Sequence, residues 1–181
     1  MGLDMYLSKK TYVQNWSHYK DEDRFEVVVK KGGVDYPHIN PSKVKYVEEE
    51  VMYWRKFNAL HNWFVENCQD GKDECQESYV DREKLEELIV TLHEVKNILE
   101  TSPKKKVQVK NGWSNGEDSF VEIEVVEDSE KLDDLFPTSS GFFFGGTEYD
   151  EYYQEQVNET IELITDLLKD ETGEYYYQAS W

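Results

Sequence analysis

No apolar run in this sequence approaches the roughly 18 residues a membrane-spanning helix needs, and no basic stretch followed by an apolar one opens the chain. Neither a transmembrane helix nor a secretory signal is therefore expected. Cysteine is scarce: Cys68 and Cys75 are the whole supply, which suits a reducing cytoplasm better than a disulfide scaffold. Repeats and long linkers are missing too, so the 181 residues are expected to form a single domain, 1–181. Basic residues all but vanish from the second half. From Asn111 to Trp181 only Lys131 and Lys169 stand against 19 Asp and Glu, which places −17 of the net −19 there. The first 110 residues balance 20 acids with 18 bases. A chain so charged repels nucleic acid and anionic lipid, so direct nucleic-acid binding is not expected and any charged partner should be basic.

Aromatic side chains are plentiful, at 14% of residues, enough to build a core in spite of 33% charged residues and to exclude a disordered chain. Leu3, Met5 and Leu7 alternate with Asp4 and Tyr6, the pattern of a half-buried strand over Met1–Val13. Phe25, Val27 and Val29 predict a second strand over Arg24–Lys31, stopped by Gly32-Gly33. Val44, Val47, Val51, Trp54, Asn58, His61, Val65 and Cys68 step by three and four, which predicts one long helix from Ser42 to about Cys68. A polar connection follows to Val80. Asp81 is placed to cap a second helix with the stripe Leu85, Leu88, Ile89, Leu92, Val95, Leu99. Lys106–Trp113 and Phe120–Val126 read as a hairpin turning at Asn115-Gly116. A short helix over Ser129–Leu135 leads to Pro137. In Pro137–Tyr153, three consecutive phenylalanines lie between Gly141 and Gly145, read as a plug that closes the core. Thr147 is read as opening the last helix, Glu148–Lys169, which ends at Gly173. Glu174–Trp181 is a final strand expected to pair with the first. The predicted class is α+β: a mostly antiparallel sheet of the N- and C-terminal strands and the central hairpin, packed against three main helices.

Four blocks carry a resemblance: Met1-Gly-Leu-Asp-Met-Tyr-Leu7, Trp54-Arg-Lys-Phe-Asn-Ala-Leu-His-Asn-Trp-Phe64, Pro137-Thr-Ser-Ser-Gly-Phe-Phe-Phe-Gly145 with Tyr149–Tyr152, and Tyr176-Tyr-Gln-Ala-Ser-Trp181. Together they resemble a family of small bacteriophage and prophage proteins. The blocks span the chain from end to end. The resemblance implies phage origin and action in the cytoplasm of a bacterial cell. It brings no catalytic residue and no cofactor.

Two groups of residues stand out as candidate sites. Asn58 and His61 interrupt an apolar stripe within a turn of Trp54 and Arg55, so that Trp54, Arg55, Asn58 and His61 are candidates for a pocket that takes a nucleotide-type ligand. The plainer alternative is a satisfied polar pair that ties the helix to the Gly141–Gly145 loop or the first strand. The second group is the acidic face of the last helix, Glu151, Glu155, Glu159, Glu162 and Asp166, joined by Glu122, Glu124, Asp128, Glu130, Asp133 and Asp134. Such a face suits a basic surface on a host protein, and its plainer alternative is a solvated face that maintains solubility. His61, Cys68, Cys75 and His93 lack the paired spacing of a zinc site. No nucleophile–base spacing argues for an enzyme. The resulting expectation is a non-catalytic binding protein that acts on a host macromolecule, as an inhibitor of a host or defence protein.

Overall fold

A computed structural model of the chain describes residues 2–114, 116–127 and 129–181. Its centre is a four-stranded antiparallel sheet built from β1 (Asp4–Tyr12), β4 (Tyr46–Arg55), β5 (Ser78–Val80) and β8 (Glu174–Ser180), in the order β4-β1-β8-β5. The terminal strands are its two central members, and Leu7 lies opposite Tyr177 in their register. Alternation sends Met5, Leu7, Met52, Trp54, Val80, Tyr175, Tyr177 and Ala179 to one face, where all are buried. Three main helices share that core: α1 (Asn58–Cys68), α2 (Arg82–Thr101) and α4 (Glu151–Leu167). The fold is α+β, as the sequence predicts.

The predicted helix Ser42–Cys68 is half strand. β4 occupies Tyr46–Arg55 and only Asn58–Cys68 is helical. The physical reason is a bulge. Leu7 pairs with Met52 and Ser8 with Glu50, so Val51 is an extra residue in β4. A bulge resets the period of two, and the shifted apolar positions then mimic steps of three and four. Cross-strand charge favours the strand, because Lys9 faces Glu49 and Lys10 faces Glu48. Lys56, at a φ of 59°, makes the sharp break between β4 and α1.

The strand predicted over Arg24–Lys31 shrinks to β2 (Lys30–Lys31), paired with β3 (Val34–Asp35). Gly32 and Gly33, at φ 61° and 84°, form the two-residue turn between them. Phe25 is exposed, and the Asn15 amide bonds both its N–H and its carbonyl, at 2.9 and 2.8 Å. The connection read as polar up to Val80 contains β5, the short edge strand beside β8.

The predicted hairpin forms from β6 (Lys104–Ser114) and β7 (Glu117–Val126), but as a separate two-stranded sheet. Asn115 of its turn lies outside the described residues. The base of the hairpin docks through Val126 N–H, which donates to Tyr149 O at 3.2 Å, and through a bridge between Val125 and Asp150. Val125 is therefore buried, Ile123 half-buried and Val121 exposed as the hairpin leaves the body. α3 (Glu130–Leu135) matches the short helix.

Asp81 caps α2 by accepting from Glu83 N–H at 3.3 Å. Asp150 rather than Thr147 caps α4, accepting from Tyr153 N–H at 3.0 Å. The other end of α4 is tied down from outside: Arg82 donates to Leu168 O and Asp170 O, and Lys9 forms an ion pair with Asp170. The phenylalanine plug is only partly inserted. Phe144 packs on the core, whereas Phe142 is 95% exposed.

Candidate functional site

Strand geometry separates the residues expected to form a ligand pocket. Trp54 and Arg55 are neighbours on β4, so their side chains leave opposite faces of the sheet. Trp54 is 3% exposed, and its indole N–H donates to Thr160 Oγ1 of α4 at 2.9 Å. It is a core residue that fastens β4 to α4. Arg55 is solvent-facing, 3.8 Å from Asp4 Oδ1, and its carbonyl accepts from the Tyr152 hydroxyl at 2.9 Å.

Asn58 and His61 do share α1, and each is 2% exposed. Asn58 donates to Phe144 O at 3.1 Å and Gly146 O at 2.7 Å, and accepts from Ser139 N–H at 3.0 Å. It ties α1 to the Gly141–Gly145 loop through both N–H groups of its amide and through its carbonyl oxygen. His61 Nδ1 accepts from the Tyr177 hydroxyl at 2.8 Å, and Nε2 donates to Asp73 Oδ2 at 3.0 Å. Burial holds the Tyr177 phenol well above its ordinary range, so it stays protonated as a donor. Asp73 Oδ1 accepts in turn from Trp181 Nε1 at 3.2 Å, while the Phe144 ring stands edge-on to His61. The chain Tyr177–His61–Asp73–Trp181 thus joins α1, the Cys68–Val80 connection and the C-terminal strand. Of the four predicted residues only Asn58 lines the neighbouring cavity, a space of about 260 Å³ between Lys56, Gly145, Gly146, Glu148 and Tyr152.

Cys68 and Cys75 are both free and half-buried. Burial pushes the Cys68 thiol up to about 11, the opposite of an activated nucleophile. Among the described residues no group of three or more His, Cys, Asp or Glu side chains is arranged to hold a metal ion.

The acidic residues, by contrast, are gathered. Glu151, Glu155, Glu159, Glu162 and Asp166 are all exposed on α4, and at about 100° per residue they fall within about 80° of arc. Docking of the hairpin places β7 alongside the first half of this stripe. Between them runs a groove of about 620 Å³, lined by Glu122, Glu124, Asp150, Glu151 and Glu155, with Lys104 as its one cation among the described residues. Lys104 bonds Gln154 at 3.1 Å, and Glu122 is paired with Lys106 at 2.9 Å. Among the described residues Glu124, Glu151, Glu155, Glu159 and Glu162 form no ion pair, and Asp166 pairs only with Lys169. Asp133 belongs elsewhere, accepting from the Tyr149 hydroxyl at 2.7 Å. Glu130 and Asp134 lie on α3, and Asp128 falls outside the described residues.

Sequence reasoning reached the α4 stripe from its spacing but missed the groove. The signal available was the capping residue: Asp150 both starts α4 and bridges to Val125, which fixes where β7 meets the helix. It also missed the outer face of the sheet, where Tyr53 and Tyr6 pack at 5.4 Å and Tyr176 and Tyr79 at 5.7 Å. No helix among the described residues is long and apolar enough to cross a membrane. No family model, curated protein or solved structure matches this chain.

Proposed function

We propose that the protein is a non-catalytic binding protein whose contact surface is the acidic groove between β7 and α4, continued along the α4 stripe. The observation that carries this reading is the convergence of carboxylates from two elements on one groove that holds a single lysine. Folding stability does not account for the arrangement. Like charges at i and i+4, such as Glu151–Glu155 and Glu155–Glu159, weaken a helix by a few tenths of a kcal/mol each, roughly 0.2–0.5. Among the described residues Glu151, Glu155 and Glu159 form no ion pair. The complementary partner is a basic protein surface, the kind that otherwise receives nucleic-acid phosphates, with carboxylates standing where phosphates would lie. In this reading the protein is phage-encoded, in keeping with its sequence blocks. The partner is a host or defence protein in the bacterial cytoplasm, inhibited or redirected by occupation of its basic site.

The test is affinity purification from bacterial lysate with the wild type and with a variant carrying Glu151→Lys, Glu155→Lys and Glu159→Lys. All three side chains are exposed, so the variant is expected to fold. The reading requires a basic protein that the wild type retains and the variant loses. Retention of the same proteins by both would overturn it.

A further inference from the structure

The loop before α4 presents one side chain that the fold leaves unused. Phe142, at 95%, is the most exposed large apolar side chain among the described residues. It is not on a slack loop. Phe144 N–H donates to Gly141 O at 3.2 Å, closing a turn with Phe142 at its tip. Leu3 N–H donates to Phe143 O at 3.1 Å. Asn58 grips the chain on both sides of Phe142, through Ser139 N–H and through the carbonyls of Phe144 and Gly146. The Phe143 ring braces Phe142 edge-to-face at 4.9 Å. A Cβ on Gly141 would meet the Phe144 ring at 2.7 Å, so the close turn requires glycine there. Ordering of this tip is thus completed in folding, which removes a large part of the entropy cost an interface loop normally meets on binding.

The surroundings of the tip give the character of what it meets. Gly145 and Gly146 of the same loop line the small cavity with Glu148, Asp150 and Tyr152. Asp150 and Tyr152 also line the acidic groove. The loop that carries the aromatic tip therefore borders, through Gly145 and Gly146, a cavity that shares Asp150 and Tyr152 with the acidic groove. We propose that Phe142 is an anchor that inserts into an apolar pocket on the partner, a pocket bordered by the lysines or arginines that meet the groove. This rests on the reading of the groove as a contact surface. A second copy of this chain is disfavoured as occupant, because a symmetric contact sets carboxylates against carboxylates. An anionic bilayer is repelled by the same acids and by the net charge of −19.

The test replaces Phe142 with the photo-crosslinker p-benzoylphenylalanine in bacterial cells, and separately Tyr152, which is half-exposed in the groove. The expected result is a protein adduct from both positions, mapped to a basic surface and abolished by excess unmodified protein. Phe142→Ser should stay close to the wild-type melting temperature, since the ring is 95% exposed and its edge-to-face contact with Phe143 lies at the surface, and bind that protein about thirtyfold or more weakly, as an interface hot spot does. An adduct from position 152 alone, or wild-type affinity in Phe142→Ser, overturns the anchor and leaves the groove reading standing. A lipid adduct or a self-adduct from position 142 overturns it in favour of a membrane or a second copy. No adduct from either position overturns both.

Discussion

Asn58→Ala should loosen the loop that carries the aromatic tip, and its cost follows from three hydrogen bonds. Truncation strands Ser139 N–H and the carbonyls of Phe144 and Gly146, which Asn58 bonds at 3.0, 3.1 and 2.7 Å. Gly146 is exposed, so water can reach its carbonyl and that loss is small, about 0.5 kcal/mol. Ser139 and Phe144 are half-buried and each loss is about 1 kcal/mol. The sum is about 2–3 kcal/mol, which in a chain of this size lowers the melting temperature by roughly 5–10 °C. Urea unfolding and a thermal melt of Asn58→Ala against wild type read this directly. Proteolysis within the Gly141–Gly146 loop should accelerate under native conditions. A destabilisation below about 0.5 kcal/mol would show that the bonds are dispensable and that the loop is held by packing alone.

Three further outcomes are expected. Thr160→Val keeps the volume but leaves the Trp54 indole N–H buried and unpaired, at a cost of about 2 kcal/mol, read by chemical denaturation; no change would mean that water takes the place of the hydroxyl. Burial holds Tyr149, Tyr153, Tyr177 and Cys68 above their ordinary ionisation ranges, so their folded pKa values exceed the unfolded ones. Their contribution is fully present below the ordinary thiol range and is lost as pH rises from about 9 past 11, because the unfolded chain then releases protons that the folded chain retains. Urea midpoints from pH 8 to pH 11 should therefore fall, a flat profile would contradict the burial of these groups, and Tyr153→Phe should flatten the fall. Finally, with its thiol at about 11, Cys68 is only about one part in a thousand thiolate at pH 8; in a Cys75→Ser variant iodoacetamide should label it far more slowly than the unfolded protein, and equal rates would refute its burial.

What the sequence revealed and what it hid have identifiable causes. Leu3, Met5 and Leu7 alternate without interruption, and β1 forms where they predict. The α2 stripe is regular and begins at a good capping residue, Asp81. β4 was illegible as a strand because Val51 is a bulge residue, and a bulge shifts alternation into a helix-like period. The Arg24–Lys31 segment shows alternation, but among the described residues only its last two, Lys30 and Lys31, pair with a strand, β3, so most of the pattern is left without a ladder. Candidate residues fared in the same way. The helical stripe of α4 is local and was read directly. Asn58 and His61 were correctly singled out as buried polar groups, but their partners, Phe144, Gly146, Ser139, Tyr177 and Asp73, are brought to them by long-range folding. Phe142 was indistinguishable from Phe144 in sequence, since only the turn at Gly141–Phe144 decides which ring points outward.

A basic partner on the acidic face makes the dissociation constant of the complex depend on ionic strength. From about 0.05 M to about 0.5 M salt the Debye length falls severalfold, and affinity should drop at least tenfold for the wild type. The Glu151→Lys, Glu155→Lys, Glu159→Lys variant should bind weakly throughout and show little salt dependence. An affinity that is insensitive to salt, or equal in the two proteins, would show that the acidic face is not the contact surface.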